Sequence, residues 1–132
     1  MLRCLCCLVM LVPALLCGAG APMSLKVSDN NRYLVDSEGR PFFYLADTAW
    51  ELFHRLNEKD AALYLAKRAE QGFTVIQCVI LAEFDGLRVP NANGDLPLID
   101  HDPRKPNEAF FRHVDRVIER MQEHGLVAGL LP

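Results

Sequence analysis

Residues 41–56 read PFFYLADTAWELFHRL. Pro41 has no N–H for a ladder, so it fits only the start of a strand. Phe42, Phe43, Tyr44 and Leu45 form a short apolar run rich in aromatics, the pattern of a strand. The run then meets Asp47, Thr48, Trp50 and Glu51. A buried strand that ends in acids and a large aromatic is where a parallel α/β sheet keeps its chemistry. A second reading stands beside this one. Asp47 caps a short helical turn over residues 49–56, and Trp50 is core. Caps are commoner than sites, so the stretch alone favours that second reading.

The chain downstream alternates. Residues 57–71 predict a helix: Asn57 is a good N-cap, and Asp60 sits where a capping box puts an acid. Glu58 lies in the first turn and Lys67 and Arg68 in the last, matching the macrodipole. Ala62, Leu65, Ala66 and Ala69 form its apolar face, and Gly72 ends it. Residues 73–81 are nearly continuously apolar, as in a strand buried on both faces. Strand, helix and strand make a βαβ unit. Residues 82–106 form a loop far longer than the usual two to six or so residues of a βα connection. Phe84, Leu87, Val89, Leu96, Leu98 and Ile99 alternate there with turn residues, predicting a folded excursion that packs its own side chains. Residues 107–124 predict a second helix, on the spacing of Phe110, Phe111, Val114, Val117, Ile118 and Met121. Asp115, Arg116, Glu119 and Arg120 form its solvated face. Residues 126–131 (LVAGLL) begin a third buried strand. Upstream, residues 25–27 and 32–35 predict an antiparallel hairpin turning at Asp29-Asn30-Asn31, with a second turn at Ser37-Glu38-Gly39-Arg40.

Three stretches also carry a resemblance: FYLADTAWELFHRL (43–56), FTVIQCVILAEFDGL (73–87) and PNANGDLPLIDHDPRKPNEAFFRHVDRVIERMQEHGL (90–126). They resemble the start of the apiosidase-like catalytic domain, glycoside hydrolase family 140, from about residue 24 to residue 132. The resemblance implies an α/β fold, the N-terminal part of a (β/α)8 TIM barrel: a hairpin and then about three βα units. Such a barrel needs about 250 residues. The expectation is therefore an incomplete barrel, a fragment of a longer protein whose last strand leaves a bare apolar edge.

Residues 1–21 predict a secretory signal: Arg3, an apolar run over 5–16, then small residues ending in Ala19-x-Ala21. Pro22 disfavours cleavage after Ala21, which leaves cleavage after Ala19 as the alternative. The run is short for a transmembrane helix, so no stable membrane insertion is expected after cleavage. The mature part would be residues 22–132, secreted or periplasmic. Lipid anchoring through Cys17 is a lesser reading, because bulky Leu16 precedes it. Four of the five cysteines lie in that segment, leaving Cys78 as a small buried hydrophobe without a disulfide framework. The formal charge of −3 becomes −4 once Arg3 is removed, so no basic patch invites nucleic acid.

In a (β/α) barrel, the residues at the C-terminal ends of the strands face the active site. That rule selects Asp47, Trp50 and Glu51 after the first core strand, and Glu83, Phe84 and Asp85 after the second. It adds the polar groups of the long loop, Asn91, Asn93, Asp95, Asp100, His101 and Asp102. Acids, amides and aromatics at a cleft mouth suit a sugar. Glycoside hydrolysis needs two carboxylates at a set separation and no cofactor. No catalytic residue is assigned within these residues: the resemblance implies that the acid and nucleophile lie on later strands, past Pro132. On that reading Asp47, Trp50, Glu51, Glu83, Phe84 and Asp85 are substrate-binding, with Glu83 foremost. An ion pair of Glu83 with Arg88 is the equal alternative. Asp100-His101-Asp102 is expected to be a turn with capped ends and not a metal site, since three adjacent ligands rarely converge. His54, His113 and His124 have charged neighbours and are expected at the surface. The functional expectation is a secreted apiosidase-like glycoside hydrolase acting on plant or pectic glycosides. The alternatives are a non-catalytic carbohydrate-binding protein on the same scaffold, or an inactive truncated product.

Overall fold

The computed structural model describes residues 23–132. The expected signal segment, its expected cleavage site and Cys17 lie outside the described residues. The chain begins with a hairpin of β1 (Lys26–Val27) and β2 (Leu34–Val35), antiparallel with Lys26 opposite Val35. Its turn is organised by the Ser28 hydroxyl, which accepts from Tyr33 N–H at 3.1 Å and donates to Asn30 Oδ1 at 2.9 Å. Asn31 takes the left-handed conformation there (φ 59°), a conformation asparagine tolerates.

The core is a three-stranded parallel sheet of β3 (Ala46–Thr48), β4 (Val75–Val79) and β5 (Val127–Leu131), with β4 in the middle. Asp47 pairs with Ile76 and Ile76 with Ala128, so Gln77 falls in one row with Thr48 and Gly129. The expected first core strand is corrected. Strand β3 starts only at Ala46, and the apolar run before it stays outside the sheet, with Phe43 74% and Tyr44 50% exposed. The hairpin competes for this segment: Pro41 bridges to Val35, and Phe42 N–H donates to the Leu34 carbonyl at 2.8 Å. The chain joins the sheet at Leu45, whose carbonyl accepts from Thr74 and Val75 N–H. The Thr74 hydroxyl completes the junction, donating to the Phe43 carbonyl (2.6 Å) and accepting from Leu45 N–H (2.9 Å).

Three helices follow the strands: α1 (Leu52–Arg55), α2 (Glu58–Glu70) and α3 (Glu108–Glu123). Asn57 caps α2 by accepting from Asp60 N–H at 3.0 Å, and Asn107 caps α3 by accepting from Ala109 N–H at 3.1 Å. Asp47 is not a cap. The residue before α1 is Glu51, whose side chain caps nothing, and Trp50 is 38% exposed rather than core. Leu52 and Phe53 of α1, Ala61 and Leu65 of α2, and Phe110, Val114, Val117 and Met121 of α3 cluster with Ile76 and Cys78 of β4. Burial pushes the Cys78 thiol up to about 12, so it packs as the expected hydrophobe. On the solvent side, Glu58 of α2 pairs with Arg116 and Arg120 of α3, both at 3.1 Å.

Two histidines depart from expectation, while His124 is exposed as anticipated. His113 is fully buried because it lies three residues after Phe110 and four before Val117, on the apolar stripe of α3. His54 is buried where the long loop folds back over α1, Ala92 N–H donating to the His54 carbonyl at 2.8 Å. The loop is ordered by a Leu98–Pro106 bridge and a 3-10 turn at Ile99–His101. It buries Asn91 and Pro97, yet Phe84, Leu87, Val89 and Ile99 stay exposed, against the expectation that it packs its own apolar side chains. No described helix is long and apolar enough to cross a membrane.

Candidate active site

The three strands are parallel, so their C-terminal ends open on one side. After Thr48 the backbone still follows β4: Ala49 N–H donates to the Gln77 carbonyl (2.8 Å), and the Trp50 carbonyl accepts from Val79 N–H (3.2 Å). Trp50 and Glu51 therefore leave the sheet at its C-terminal rim. They line a groove of about 340 Å³ with Arg55, Leu56 and Tyr64. Glu51 accepts from Arg55 Nε at 3.3 Å through one oxygen. Its other oxygen is buried without a hydrogen-bond partner, a costly state for a carboxylate.

Glu83, Phe84 and Asp85 form a second group, a tight turn past β4. Phe84 (φ 53°) and Asp85 (φ 70°) are consecutive left-handed residues. For a bulky residue such as Phe84 that conformation is an outlier, and such strain gathers at functional sites. The Glu83 carbonyl accepts from Gly86 N–H at 3.3 Å, and the Asp85 carbonyl accepts from Arg88 N–H at 2.8 Å. Gly86 closes the turn, since a Cβ there would stand 2.5 Å from the Ala82 carbonyl oxygen. All three preceding side chains are exposed. Glu83 makes no ion pair with Arg88 among the described residues, and its exposure removes the burial cost that such a pair would offset.

Asp47 does not itself line the groove, but it holds Tyr64, which does. Strand alternation turns Asp47 to the helix side, level with Ile76. Tyr64 donates its hydroxyl to Asp47 Oδ2 at 2.6 Å, and the Arg68 guanidinium pairs with the same oxygen. Partial burial raises the Asp47 carboxyl. The Tyr64 hydroxyl, the Arg68 charge and the Thr48 N–H together outweigh it and hold the carboxyl below the ordinary carboxylate value. The Tyr64 hydroxyl is pushed up to about 12 by burial and by this bond.

The polar groups of the long loop serve the loop. Asn91 Oδ1 accepts from Asn93 and Asp95 N–H, both at 3.0 Å. Asp102 pairs with Arg104 and Asp100 with Lys105, while His101 Nδ1 meets the Leu87 carbonyl at 3.2 Å. No three metal-ligating side chains gather among the described residues.

One polar position escaped the strand-end rule. Gln77 lies on the sheet face away from the helices, because Ile76 and Cys78 on either side of it point into the helical cluster. Its Nε2 lies 3.4 Å from the Tyr44 hydroxyl. The signal in the sequence was a lone amide within the otherwise apolar run VIQCVIL (75–81).

Comparison with known proteins fits this geometry. The family profile described as "Apiosidase-like, catalytic domain" matches residues 28–132. A crystal structure of a glycoside hydrolase family 5 protein from Bacteroides vulgatus ATCC 8482 superposes with a TM-score of 0.69 at 28% identity, over 81% of this chain and 24% of that one. A second solved structure, described as a glycoside hydrolase, gives a TM-score of 0.71 at 31% identity, again over 81% of this chain and 24% of the other. The chain thus spans about a quarter of the length of these structures, and its fold is α/β, part of a TIM barrel. No curated protein sequence matches it.

Proposed function

The chain belongs to the apiosidase-like family of catalytic domains, and from that premise we propose that it is the N-terminal part of a secreted glycoside hydrolase. Its substrates on this reading are apiose-containing glycosides, such as branched pectic side chains. The observation that carries the proposal is the turn Glu83-Phe84-Asp85. Two acids and an aromatic, all exposed, stand past the C-terminal end of the central strand, where barrels of this kind bind substrate, with Phe84 held in a left-handed conformation rare for an aromatic residue.

The chemistry divides simply. Phe84 and Trp50 offer aromatic faces to the apolar face of a sugar ring. Glu83, Asp85 and Glu51 are acceptors for its hydroxyls. Asp47 holds β3 against α2 and so fixes the height of Trp50 and Glu51. The general acid and its partner carboxylate come from strands other than these three: one protonates the leaving oxygen as the glycosidic bond breaks, while the other bonds to the anomeric carbon, for water to displace later, or takes a proton from the water that attacks it. Replacing Glu83 by Ala should lower kcat/KM for an apiosyl glycoside by about tenfold to a hundredfold, the loss of one charge-assisted hydrogen bond, with the melting temperature held. Kinetics equal to those of the parent enzyme would remove Glu83 from the site. Binding without any release of sugar would mark a carbohydrate-binding protein instead.

A further inference from the structure

The sheet face away from the helices has an unusual middle row. Barrel interiors are filled mainly by bulky branched residues. Here Val75 and Val79 conform, at 1% and 7% exposed. Between them the row runs Thr48, Gln77, Gly129 across the three strands: a hydroxyl, a carboxamide and no side chain at all. Gly129 matters because a Cβ there would stand 3.2 Å from Gln77 Cγ and 3.4 Å from Val75 Cγ1. A larger residue would displace the stem of Gln77. Tyr44, outside the sheet by virtue of the hairpin's competition for its segment, brings its hydroxyl to Gln77 Nε2. In this arrangement Nε2 faces the hydroxyl, at the long end of hydrogen-bond range. That leaves the carbonyl oxygen Oε1 without a protein donor among the described residues. Thr48 ends β3, so the row lies level with the C-terminal rim of one strand and one alternation below the end of the next.

We infer that Gln77 is a substrate-contacting residue on the floor of the sugar site. Its Oε1 accepts a hydrogen bond from a hydroxyl of the bound sugar, Tyr44 holds the amide in that orientation, and Gly129 clears the space. The inference rests on the carbohydrate reading above and adds a residue that the strand-end rule does not select.

The test uses the full protein, with free apiose as the probe in a calorimetric titration. Gln77→Leu should bind apiose about tenfold more weakly than the parent, the worth of one neutral hydrogen bond, while its melting temperature stays within a few degrees. Tyr44→Phe should weaken binding less, since the acceptor remains and only its orientation is freed. Across a set of monodeoxy apioses, the parent should discriminate against one member, and Gln77→Leu should lose that discrimination. Parent-like affinity in Gln77→Leu, alongside a weakened Glu83→Ala, would overturn the role of Gln77 and leave the sugar reading standing. A parent protein that binds no apiose would overturn both. If Gln77→Leu does not fold, Gln77→Asn asks the same question by withdrawing the carbonyl one methylene: weaker binding supports the contact, and parent-like binding overturns it.

Discussion

Asp47 and His113 are two ionisable side chains whose surroundings act on stability in separate pH ranges. Asp47 is held by the Tyr64 hydroxyl and the Arg68 guanidinium, with its side chain 25% exposed. Truncation in Asp47→Ala should cost about 1–3 kcal/mol in urea unfolding, because Tyr64 loses its acceptor and Arg68 its partner. Asp47→Asn, which keeps an acceptor, should cost less. The folded carboxyl titrates below its ordinary value, so the stability it lends is fully present above the unfolded value of about 3.9. It is lost as pH falls through the lower folded value. His113 behaves otherwise. Burial depresses its folded pKa below 6.5, only partly offset by its bond to the Leu56 carbonyl at 3.1 Å. Its other ring nitrogen, Nδ1, is buried without a partner, so adding a proton there is costly. The unfolded histidine therefore takes up a proton first, and stability should fall as pH drops below about 6.5 until the folded value is reached. A series of melts from pH 7.5 to 5 should show that decline in the parent. His113→Gln, able to donate to Leu56 but not to titrate, should flatten it, and a slope equal to the parent's would assign the decline to another group.

At the scale of elements, the helices are set by their ends. The side-chain oxygen of Asn57 takes the Asp60 N–H, and its amide reaches Asp60 Oδ2 at 2.9 Å. Asn57→Ala should therefore cost about 1 kcal/mol, read as a lower urea midpoint at unchanged slope. Asn57→Ser should recover most of it. Both long helices were legible in the sequence for the same reason: a cap, a periodic apolar stripe and a terminal glycine all agree on their boundaries. The strand at residues 42–45 was misplaced because an aromatic run states only that a segment prefers extended backbone. It does not say which partner takes that backbone, and here Val35 and Leu34 of the hairpin take Pro41 and Phe42 first. The burial of His113 was readable from its place between Phe110 and Val117, but its charged neighbours outweighed that periodicity in the sequence. The fold-back of the loop onto His54 left no local trace, since Ala92 reaches it through backbone alone.

At the scale of the whole molecule, the order of elements declared a parallel α/β sheet, because βαβ spacing leaves few other topologies. The site was legible only in part. The strand-end rule finds the rim, yet the face on which each side chain stands depends on alternation phase, and one residue of phase exchanges the faces. Hence Asp47 turned to the helices, while Gln77, one step along the register from its partner Ile76, turned the other way. The same register makes a prediction about the sheet as a unit. Val127 N–H donates to the Thr74 carbonyl and Ile80 N–H to the Leu131 carbonyl. By the two-residue alternation of a parallel ladder, the N–H groups of Ala128 and Leu130 point to the opposite edge of β5. Central β4 is paired on both sides. Native-state hydrogen exchange on a chain of these 132 residues alone should therefore find the amides of Ile76, Gln77 and Cys78 slow throughout, with β5 alternating: Val127 and Gly129 slow, Ala128 and Leu130 fast. In a complete barrel the next strand pairs with that edge, so β5 should be slow throughout there, and uniformly slow exchange in the 132-residue chain would mean that another strand, such as one from a second copy, covers it. Fast exchange along β4 would contradict its central place. The alternating pattern can arise only from a strand bonded on one side, so it tests register and topology in a single measurement.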